Sequence, residues 1–344
     1  MAFTSFRFIV FLVLAAAAYF LTPKRCRWVT LFVANYVFYF ISGGRIFIYL
    51  LATTVTTYLA TVKIGDMVAK NKIAFNEAKA ELDKEGKKAW KAAFAKKKKR
   101  ILIPTLLFNF GILAVLKYSG FVTENLNLLF AKIGIGTELP VFRFLLPLGI
   151  SFYTFQSMGY LIDVYREKQE PERNFCKLAL FISFFPQIVQ GPISRFGTLA
   201  EQLFRANEFS YTRIKFGVQL MLWGAFKKMV IADRAAVLVD NAFGFPETFG
   251  GTYVAAAALA YAIQIYGDFS GGIDIATGAA QIFGVTLDKN FERPYLATSI
   301  PDYWRRWRSA HGFGIMCSIP CPCRNSFPVW GRNAEGFSGI ISVS

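Results

Sequence analysis

The stretch YGDFSGGIDIATGAAQIFGV (Tyr266–Val285), which continues into LDKNFERPYLATSIPDYWRRW (Leu287–Trp307), carries the strongest fold signal in this chain. It follows an apolar run that begins near Leu259. Asp268 and Asp274 lie inside the apolar sequence, and aromatic and arginine residues follow them. Because a charged side chain at membrane depth is costly, it usually marks a cavity or a pathway. The stretch therefore predicts a membrane protein with a polar interior.

The composition supports this prediction. The chain has 344 residues, 54% of them hydrophobic and 17% aromatic, and its mean hydropathy is +0.38. A soluble domain is usually about 45–50% apolar. The formal net charge is +17, but the basic residues lie between apolar segments rather than in a basic soluble domain. We interpret them as topology signals and expect no nucleic-acid partner.

Apolar segments recur along the whole chain, and we predict an all-α fold with about eight to ten membrane-embedded helices. Each spanning helix needs about 20 residues, so several of the segments are short. The last is long enough for two helices. The segments are Phe6–Leu21, Trp28–Ile41, Ile46–Val62, Ile101–Leu116, Phe142–Val164, Phe175–Val189, Ile214–Val239 and Tyr253–Val285.

One long polar insert, residues 65–100, interrupts these segments. It is rich in strong helix formers and ends in the run Lys96–Arg100, directly before the next apolar segment. Positive residues near helix ends stay on the cytoplasmic side. We therefore predict a cytosolic, basic helical insert that anchors the topology of a multi-pass protein of the cytoplasmic (inner) membrane. Binding of nucleic acid or anionic lipid is the less favoured interpretation.

Metal and disulfide chemistry have little support in the sequence. The five cysteines form no evenly spaced framework, and His311 is the only histidine. Cys317, Cys321 and Cys323 are poorly spaced for a zinc site. We predict no metal site and no bound cofactor.

Two segments place polar or helix-breaking residues in apolar surroundings. In PLGISFYTFQSMGYLIDVYRE (Pro147–Glu167), Gln156 and Ser157 fit hydrogen bonds between helices better than a tunnel wall. In FFPQIVQGPISRF (Phe184–Phe196), prolines and a glycine predict a kinked or re-entrant segment. Gln187 and Gln190 could satisfy the backbone groups that such a break frees.

The charged residues of two further segments leave alternatives open. In GAFKKMVIADR (Gly224–Arg234), we interpret Lys227 and Lys228 as snorkelling lysines at the cytosolic interface, followed by an Asp–Arg pair. Around Asp268 and Asp274, glycines allow a close helix approach or a break, and both carboxylates must be paired or hydrated. A cation-coupling site in a transporter would look similar.

Five ordered blocks together resemble the membrane-bound O-acyltransferases, in particular the alginate O-acetylase branch. They are FTSFRFIVFLVL near the start, the Pro147 and Phe184 blocks, YGDFSGGIDIATGAAQIFGV, and NFERPYLATSIPDYWRRW. The resemblance covers about Phe3 to Trp307, so we treat residues 1–307 as one transmembrane domain. It implies a ring of membrane helices around a central tunnel. It also implies acyl transfer, here of acetyl groups, to hydroxyls of an exported, alginate-like polysaccharide.

The resemblance also implies partners and site residues. Expected partners are membrane lipid, the polysaccharide acceptor and other polysaccharide-acetylation proteins, whereas the acyl donor is not visible. Candidate residues of the substrate tunnel are Gln187, Gln190, Tyr266, Asp268, Asp274, Asn290, Arg293, Tyr303, Trp304, Arg305 and Arg306.

The chain departs from the family pattern after Trp307. Arg308 stands where the family has a histidine, and His311 matches neither of the family's two histidines, so no catalytic residue is assigned. The codons for Gly314–Arg324, begun at each old third base, permit Asp-Tyr-Val-Phe-Tyr-Pro-Leu-Ser-Leu-Ser, a family-like run. We hypothesise a frame shift near Arg308 that makes residues 308–344 an aberrant, disordered tail and impairs activity. The alternatives are a secondary transporter that uses Asp268 and Asp274, and a nonfunctional fragment.

Overall fold

The computed structural model describes residues 3–44, 47–79, 83–133, 139–140, 147–245 and 247–307, in which every regular element is helical. The predictions for Arg308, His311, the tail cysteines and the frame shift lie outside these residues. The helices are α1 (Phe6–Leu21), α2 (Arg27–Gly43), α3 (Phe47–Ala78), α4 (Lys84–Ile133), α5 (Ile150–Tyr165), α6 (Phe175–Ser183), α7 (Phe185–Gln190), α8 (Phe196–Phe204), α9 (Tyr211–Ala225), a π-helical segment (Phe226–Ala232), α10 (Asp233–Gly244), α11 (Gly251–Ile282) and α12 (Ile300–Trp307).

Polar residues at the predicted starts cap several helices. The Ser5 hydroxyl accepts a hydrogen bond from the Phe8 backbone N–H at 3.3 Å and so caps α1. Asn174 caps α6 in the same way through the Lys177 N–H, at 3.2 Å. Such caps satisfy backbone donors that a helix N-terminus leaves free. They explain why these helices begin where the apolar sequence begins.

The basic insert is not a separate element. Its first part continues α3 and its second part continues α4, and the two helices run antiparallel. Trp90 donates its indole N–H to Asn71 at 3.0 Å near the tip of this hairpin. Asn109 donates to Thr56 at 3.1 Å further along the same two helices. The insert is therefore helical, as predicted, but it forms the outer half of a continuous helical hairpin.

Lys98, inside the predicted topology run, is buried rather than exposed. Its ammonium donates to the Tyr165 carbonyl at 3.0 Å and to the Glu167 carboxylate at 2.7 Å. It also lies 5.1 Å from the ring centroids of Phe94 and Tyr165. A cation at a helix C-terminus is favourable because the last carbonyls carry partial negative charge. Lys98 therefore fastens the hairpin to the end of α5.

Among the described residues, α3 and α4 are the two helices long and apolar enough to cross a membrane. The predicted number of membrane helices and their ring arrangement remain predictions. One predicted boundary was wrong, because α4 continues beyond the predicted end of its apolar segment at Leu116 as far as Ile133. The segment after Tyr253, which is long enough for two helices, is one helix of 32 residues. The segment from Phe175 is interrupted at Phe184, where the predicted break begins.

The centre of the molecule is aromatic and is organised around Phe185, which is fully buried. Its ring contacts Phe11 at 5.3 Å, Phe38 at 5.4 Å and Phe283 at 6.0 Å between centroids. These rings belong to α1, α2 and the end of α11. The short helix α7 therefore lies at the junction of the helices around it.

Candidate functional site

Helices α9 and α11 approach closely through two pairs of glycines. A Cβ on Gly224 would lie 2.5 Å from the Gly271 carbonyl oxygen, and a Cβ on Gly217 would lie 2.8 Å from that of Gly278. The glycines are seven residues apart on each helix, so the pairs match when the helices run antiparallel. Small residues permit such close helix packing. Here the predicted close approach is present and the predicted alternative, a helix break, is not.

Both aspartates within α11 are paired with lysines of the π-helical segment. Lys227 pairs with Asp274, and Lys228 pairs with Asp268. The Lys227 and Asp274 side chains are 14% and 24% exposed, and the other pair is 24% and 40% exposed. The interpretation of these lysines as snorkelling residues was wrong. Opposite charges on the facing helix hold them in the protein because an unpaired buried charge is costly.

The π-helical geometry accounts for two adjacent lysines facing one helix. The main chain at Lys228 approaches Gly271 so closely that a Cβ there would lie 3.0 Å from the Lys228 nitrogen. The lysine side chains then reach carboxylates on either side of the glycines. Single π-helical turns occur frequently at functional sites. In the sequence, the signal for these ion pairs is the presence of two lysines and two aspartates in otherwise apolar helices.

Gln190 and Gln187 border the same region from α7. The Gln190 amide packs against Gly272 so closely that a Cβ there would collide with it. Gln187 is buried and donates to the Pro192 carbonyl at 2.7 Å. It therefore satisfies a backbone group beyond the end of α7, as expected for a broken segment. Its own carbonyl oxygen is buried without a hydrogen-bond partner.

Asn35 is a polar residue at this break that the sequence analysis missed. Its side-chain oxygen accepts a hydrogen bond from the Phe185 N–H at 3.0 Å, and the residue is fully buried. It thereby satisfies the first backbone donor of α7. An asparagine within the apolar segment Trp28–Ile41 was the available signal.

The remaining candidates gather beside Tyr266 in an aromatic cluster, defined as Tyr266, Phe291, Tyr295, Tyr303 and Trp307. Tyr266 lies 5.7 Å from Phe291 and 5.6 Å from Tyr295 between ring centroids. Tyr303 stacks on Trp307 at 5.5 Å with an interplanar angle of 24°. The Tyr295 hydroxyl donates to the Ala262 carbonyl at 2.6 Å. The segment after α11 therefore folds back along that helix.

The arginines of α12 are held by their own helix. Asp302 accepts from Arg305 at 2.5 Å and from Arg306 at 2.7 Å. Desolvation raises the pKa of Asp302, but the hydrogen bonds from the two arginines outweigh it and leave the pKa below its ordinary value. Trp304 and Arg305 are exposed, Arg293 is exposed in a left-handed conformation with φ of 50°, and Asn290 is half-buried. The structure thus does not gather all the candidates in one place.

The candidates form two neighbouring groups, which α11 connects. One is a polar layer of two ion pairs and Gln190, and the other is the aromatic cluster. Neither Asp268 nor Asp274 lines the two apolar grooves along α2 or the small cavity between Tyr39 and Tyr153. The central tunnel therefore remains a prediction. The polar layer can offer ammonium donors and carboxylate acceptors close together, with little net charge.

The comparison with protein families agrees with this helical architecture. Residues 166–309 match the family model described as MBOAT, membrane-bound O-acyltransferase family. The match includes the break at Phe184, both ion pairs and the aromatic cluster. Residues 166–309 therefore form a domain of the membrane-bound O-acyltransferase family.

Individual relatives extend the similarity toward the N-terminus. The chain is 32% identical over 311 residues to a probable alginate O-acetylase AlgI of Pseudomonas syringae, a match that covers 89% of this chain and 54% of the relative. It is 34% identical over 313 residues to a probable alginate O-acetylase AlgI of Pseudomonas aeruginosa, a match that covers 89% of this chain and 54% of that relative. A peptidoglycan O-acetyltransferase of Helicobacter pylori is 35% identical over 234 residues, with 60% and 43% covered. The chain thus spans about half the length of these relatives.

Proposed function

We propose that this protein is an O-acyltransferase that transfers acetyl groups to hydroxyls of an exported polysaccharide. The observation that carries the proposal is the similarity to alginate O-acetylases over 89% of the chain. The peptidoglycan O-acetyltransferase among its relatives also acts on a glycan. In the proposed reaction, a sugar hydroxyl displaces the alcohol or thiol of an acetyl ester or thioester donor. The released alcohol or thiol takes up the hydroxyl proton, and the reaction needs no resident cofactor. Its partners are membrane lipid, the polymer and other polysaccharide-acetylation proteins.

We assign the substrate passage to the polar layer and the aromatic cluster. Aromatic rings and arginines suit an acidic sugar because ring faces pack on apolar surfaces and guanidinium groups pair with carboxylates. Arg305 supports this assignment, since its side chain is 79% exposed although it contacts Asp302. The ion pairs keep the helices in register beside the passage.

The structure gives no support to the transporter alternative. A cation-coupling site needs carboxylates that are free to coordinate the ion, whereas Asp268 and Asp274 each contact a lysine. The proposed location is the cytoplasmic membrane. The outer half of the α3–α4 hairpin, formed by the basic insert, lies in the cytosol because positive residues near helix ends are retained there.

The test is an acetylation assay in cells that export alginate but lack their own O-acetylase. One strain expresses the chain as printed. A second expresses the same gene read after Trp307 in the frame that begins at the old third base. Acetyl esters on the secreted polymer are measured after mild alkaline release, with empty-vector cells as the control. We expect esters in the second strain.

The outcomes separate the acyltransferase proposal from the hypothesis that a frame shift impairs the printed chain. Absence of esters in both strains, with the protein present in the membrane fraction, would refute the acyltransferase proposal. Esters in the strain that expresses the printed chain would support the proposal and contradict the expected impairment. Sequencing the gene beyond the codon for Trp307 tests the frame shift directly.

A further inference from the structure

An apolar groove runs between α1 and α2, with a volume of about 500 Å³. This size lies within the range of about 300–1,000 Å³ that is usual for small-ligand sites. One face of each helix lines the groove. The lining includes Leu14 and Ala18 of α1 and Val29, Val33 and Ile41 of α2. The residues from Cys26 to Ile41 extend over about 22 Å of helix, so the groove is long and narrow.

A basic turn, defined as Lys24, Arg25 and Arg27, flanks Cys26, which lines one end of this groove. Arg27 is occupied, since it donates to the Thr22 carbonyl at 3.2 Å and also contacts the Asn207 carbonyl. Lys24 pairs with Glu208 at 2.5 Å but remains 61% exposed. Arg25 is exposed. The basic turn therefore leaves positive charge exposed to solvent at one end of the apolar groove.

A series of contacts places the basic turn on the same face of the molecule as the base of the hairpin. Asp66 of α3 pairs with Arg173 at 2.8 Å in the loop before α6. Lys177 at the start of α6 lies 4.9 Å from the ring of Phe204, at the end of α8. Glu208 follows in the next loop and contacts Lys24. The basic turn therefore faces the side on which we place the cytosol.

We propose that the α1–α2 groove binds one acyl chain of an anionic phospholipid, with the basic turn holding its phosphate headgroup. This inference rests on the proposed membrane location of the chain. Basic sites between membrane helices on the cytoplasmic side recognise anionic headgroups. The apolar lining accepts the chain, and the cations distinguish an anionic headgroup from a zwitterionic one.

Native mass spectrometry of the protein purified in detergent tests this proposal. Dioleoyl phosphatidylglycerol and dioleoyl phosphatidylcholine carry the same chains, so any preference reports the headgroup. A cation near an anionic membrane surface contributes about 1 kcal/mol, or about fivefold in affinity. We expect a preference of about fivefold or more for phosphatidylglycerol. The double variant Lys24→Gln, Arg25→Gln should lose that preference and keep its binding of phosphatidylcholine.

A second variant, Ala18→Phe, fills the groove and should weaken the binding of both lipids. The matched controls are Lys215→Gln, at an exposed lysine of α9, and Val13→Phe, at an exposed position of α1 outside the groove. Equal binding of both lipids by the unmodified protein would overturn the proposal. A detergent-stable dimer that Ala18→Phe dissociates would also overturn it, because a second copy would then fill the groove. Neither result depends on acetylation activity.

Discussion

At the scale of single residues, Phe185 connects three helices at the centre of the molecule through contacts of its ring. Replacing it with alanine removes ring contacts to α1, α2 and α11 at once. A buried Phe→Ala change typically costs about 3–5 kcal/mol. We expect Phe185→Ala to lower the thermal unfolding midpoint in detergent markedly. Phe121→Ala, at a side chain that is 67% exposed, should leave it nearly unchanged.

The ion pairs allow a prediction with an internal control. In a double-mutant cycle with Lys227→Met and Asp274→Asn, each single change leaves one partly buried charge unpaired. We expect a coupling energy of about 1–3 kcal/mol, lower than for a fully buried pair because both groups retain some exposure. The exposed Lys24–Glu208 pair should show little or no coupling, because both side chains are screened by solvent. Chemical denaturation of the four proteins in each cycle measures both energies, and equal couplings would contradict the expectation.

Part of this chemistry was visible in the sequence. Asp268 and Asp274 lie in apolar sequence, which required that each be paired or hydrated, and both are paired. Their partners were not identified because Lys228 and Lys227 lie 40 and 47 residues before them along the chain. Adjacent lysines near an apolar segment also fit a membrane interface. The local sequence pattern thus indicated that each aspartate needs a partner. Which residue is that partner depends on how the helices pack.

At the scale of helices, the glycine pairs fix how closely α9 and α11 pack. Gly224→Ala would place a methyl group against the Gly271 carbonyl, and overpacking of this kind costs about 1–3 kcal/mol. Gly111 in α4 is the matched control because a Cβ there would meet nothing within 4 Å. Gly111→Ala should be neutral or stabilising by about 0.5–1 kcal/mol. An equal shift of the unfolding midpoint in Gly224→Ala and Gly111→Ala would argue against close packing at Gly224.

Lys98 and its neighbour Lys99 provide a second test at this scale. Lys98→Met keeps the apolar stem but leaves the Tyr165 carbonyl without its donor, at a cost of about 1–3 kcal/mol. We expect faster hydrogen exchange at the end of α5, around residues 165–168. Lys99 is exposed, so Lys99→Met should leave exchange there unchanged. An equal effect of both variants would show that charge alone, rather than this contact, matters.

The helix boundaries show where sequence reasoning reached its limit. The insert was predicted as helical because its residues favour helices, and it is helical. The change of composition at Arg100 was interpreted as an element boundary, and Pro104 follows it closely. The helix nevertheless continues, since tertiary contacts on both sides, through Asn71 and Thr56, hold α4 against α3.

At the scale of the whole molecule, α4 predicts a topology that can be measured. Lys88 and Lys132 are exposed near opposite ends of this helix, about 66 Å apart at 1.5 Å per residue. That distance exceeds the thickness of a bilayer, about 40–45 Å with its headgroups. A membrane-impermeant thiol reagent should therefore label Lys88→Cys only in inverted vesicles and Lys132→Cys only in intact cells. Labelling is followed by peptide mass spectrometry, because the chain has native cysteines. Labelling of both sites from one side would contradict a spanning α4.

The family, by contrast, could be identified from sequence because its motifs are local strings. Their order along the chain was sufficient for the resemblance, and the comparison with known proteins confirms it. The ring of helices and the tunnel were implied by that resemblance and not by hydropathy. The described residues contain two helices that meet the length and hydropathy criteria for a span.

The unbroken α4 also limits how the length of the hairpin can change. Inserting one residue between Trp90 and Lys98 would turn the outer part of the helix by about 100° relative to the inner part, because a turn holds 3.6 residues. Trp90 and Lys98 could then no longer reach Asn71 and Tyr165 together. Inserting seven residues, close to two full turns, would nearly restore the angular phase. Seven residues would also move Trp90 about 10 Å along the helix axis, so both contacts can be kept only if α3 and α4 lengthen together, in steps close to whole turns.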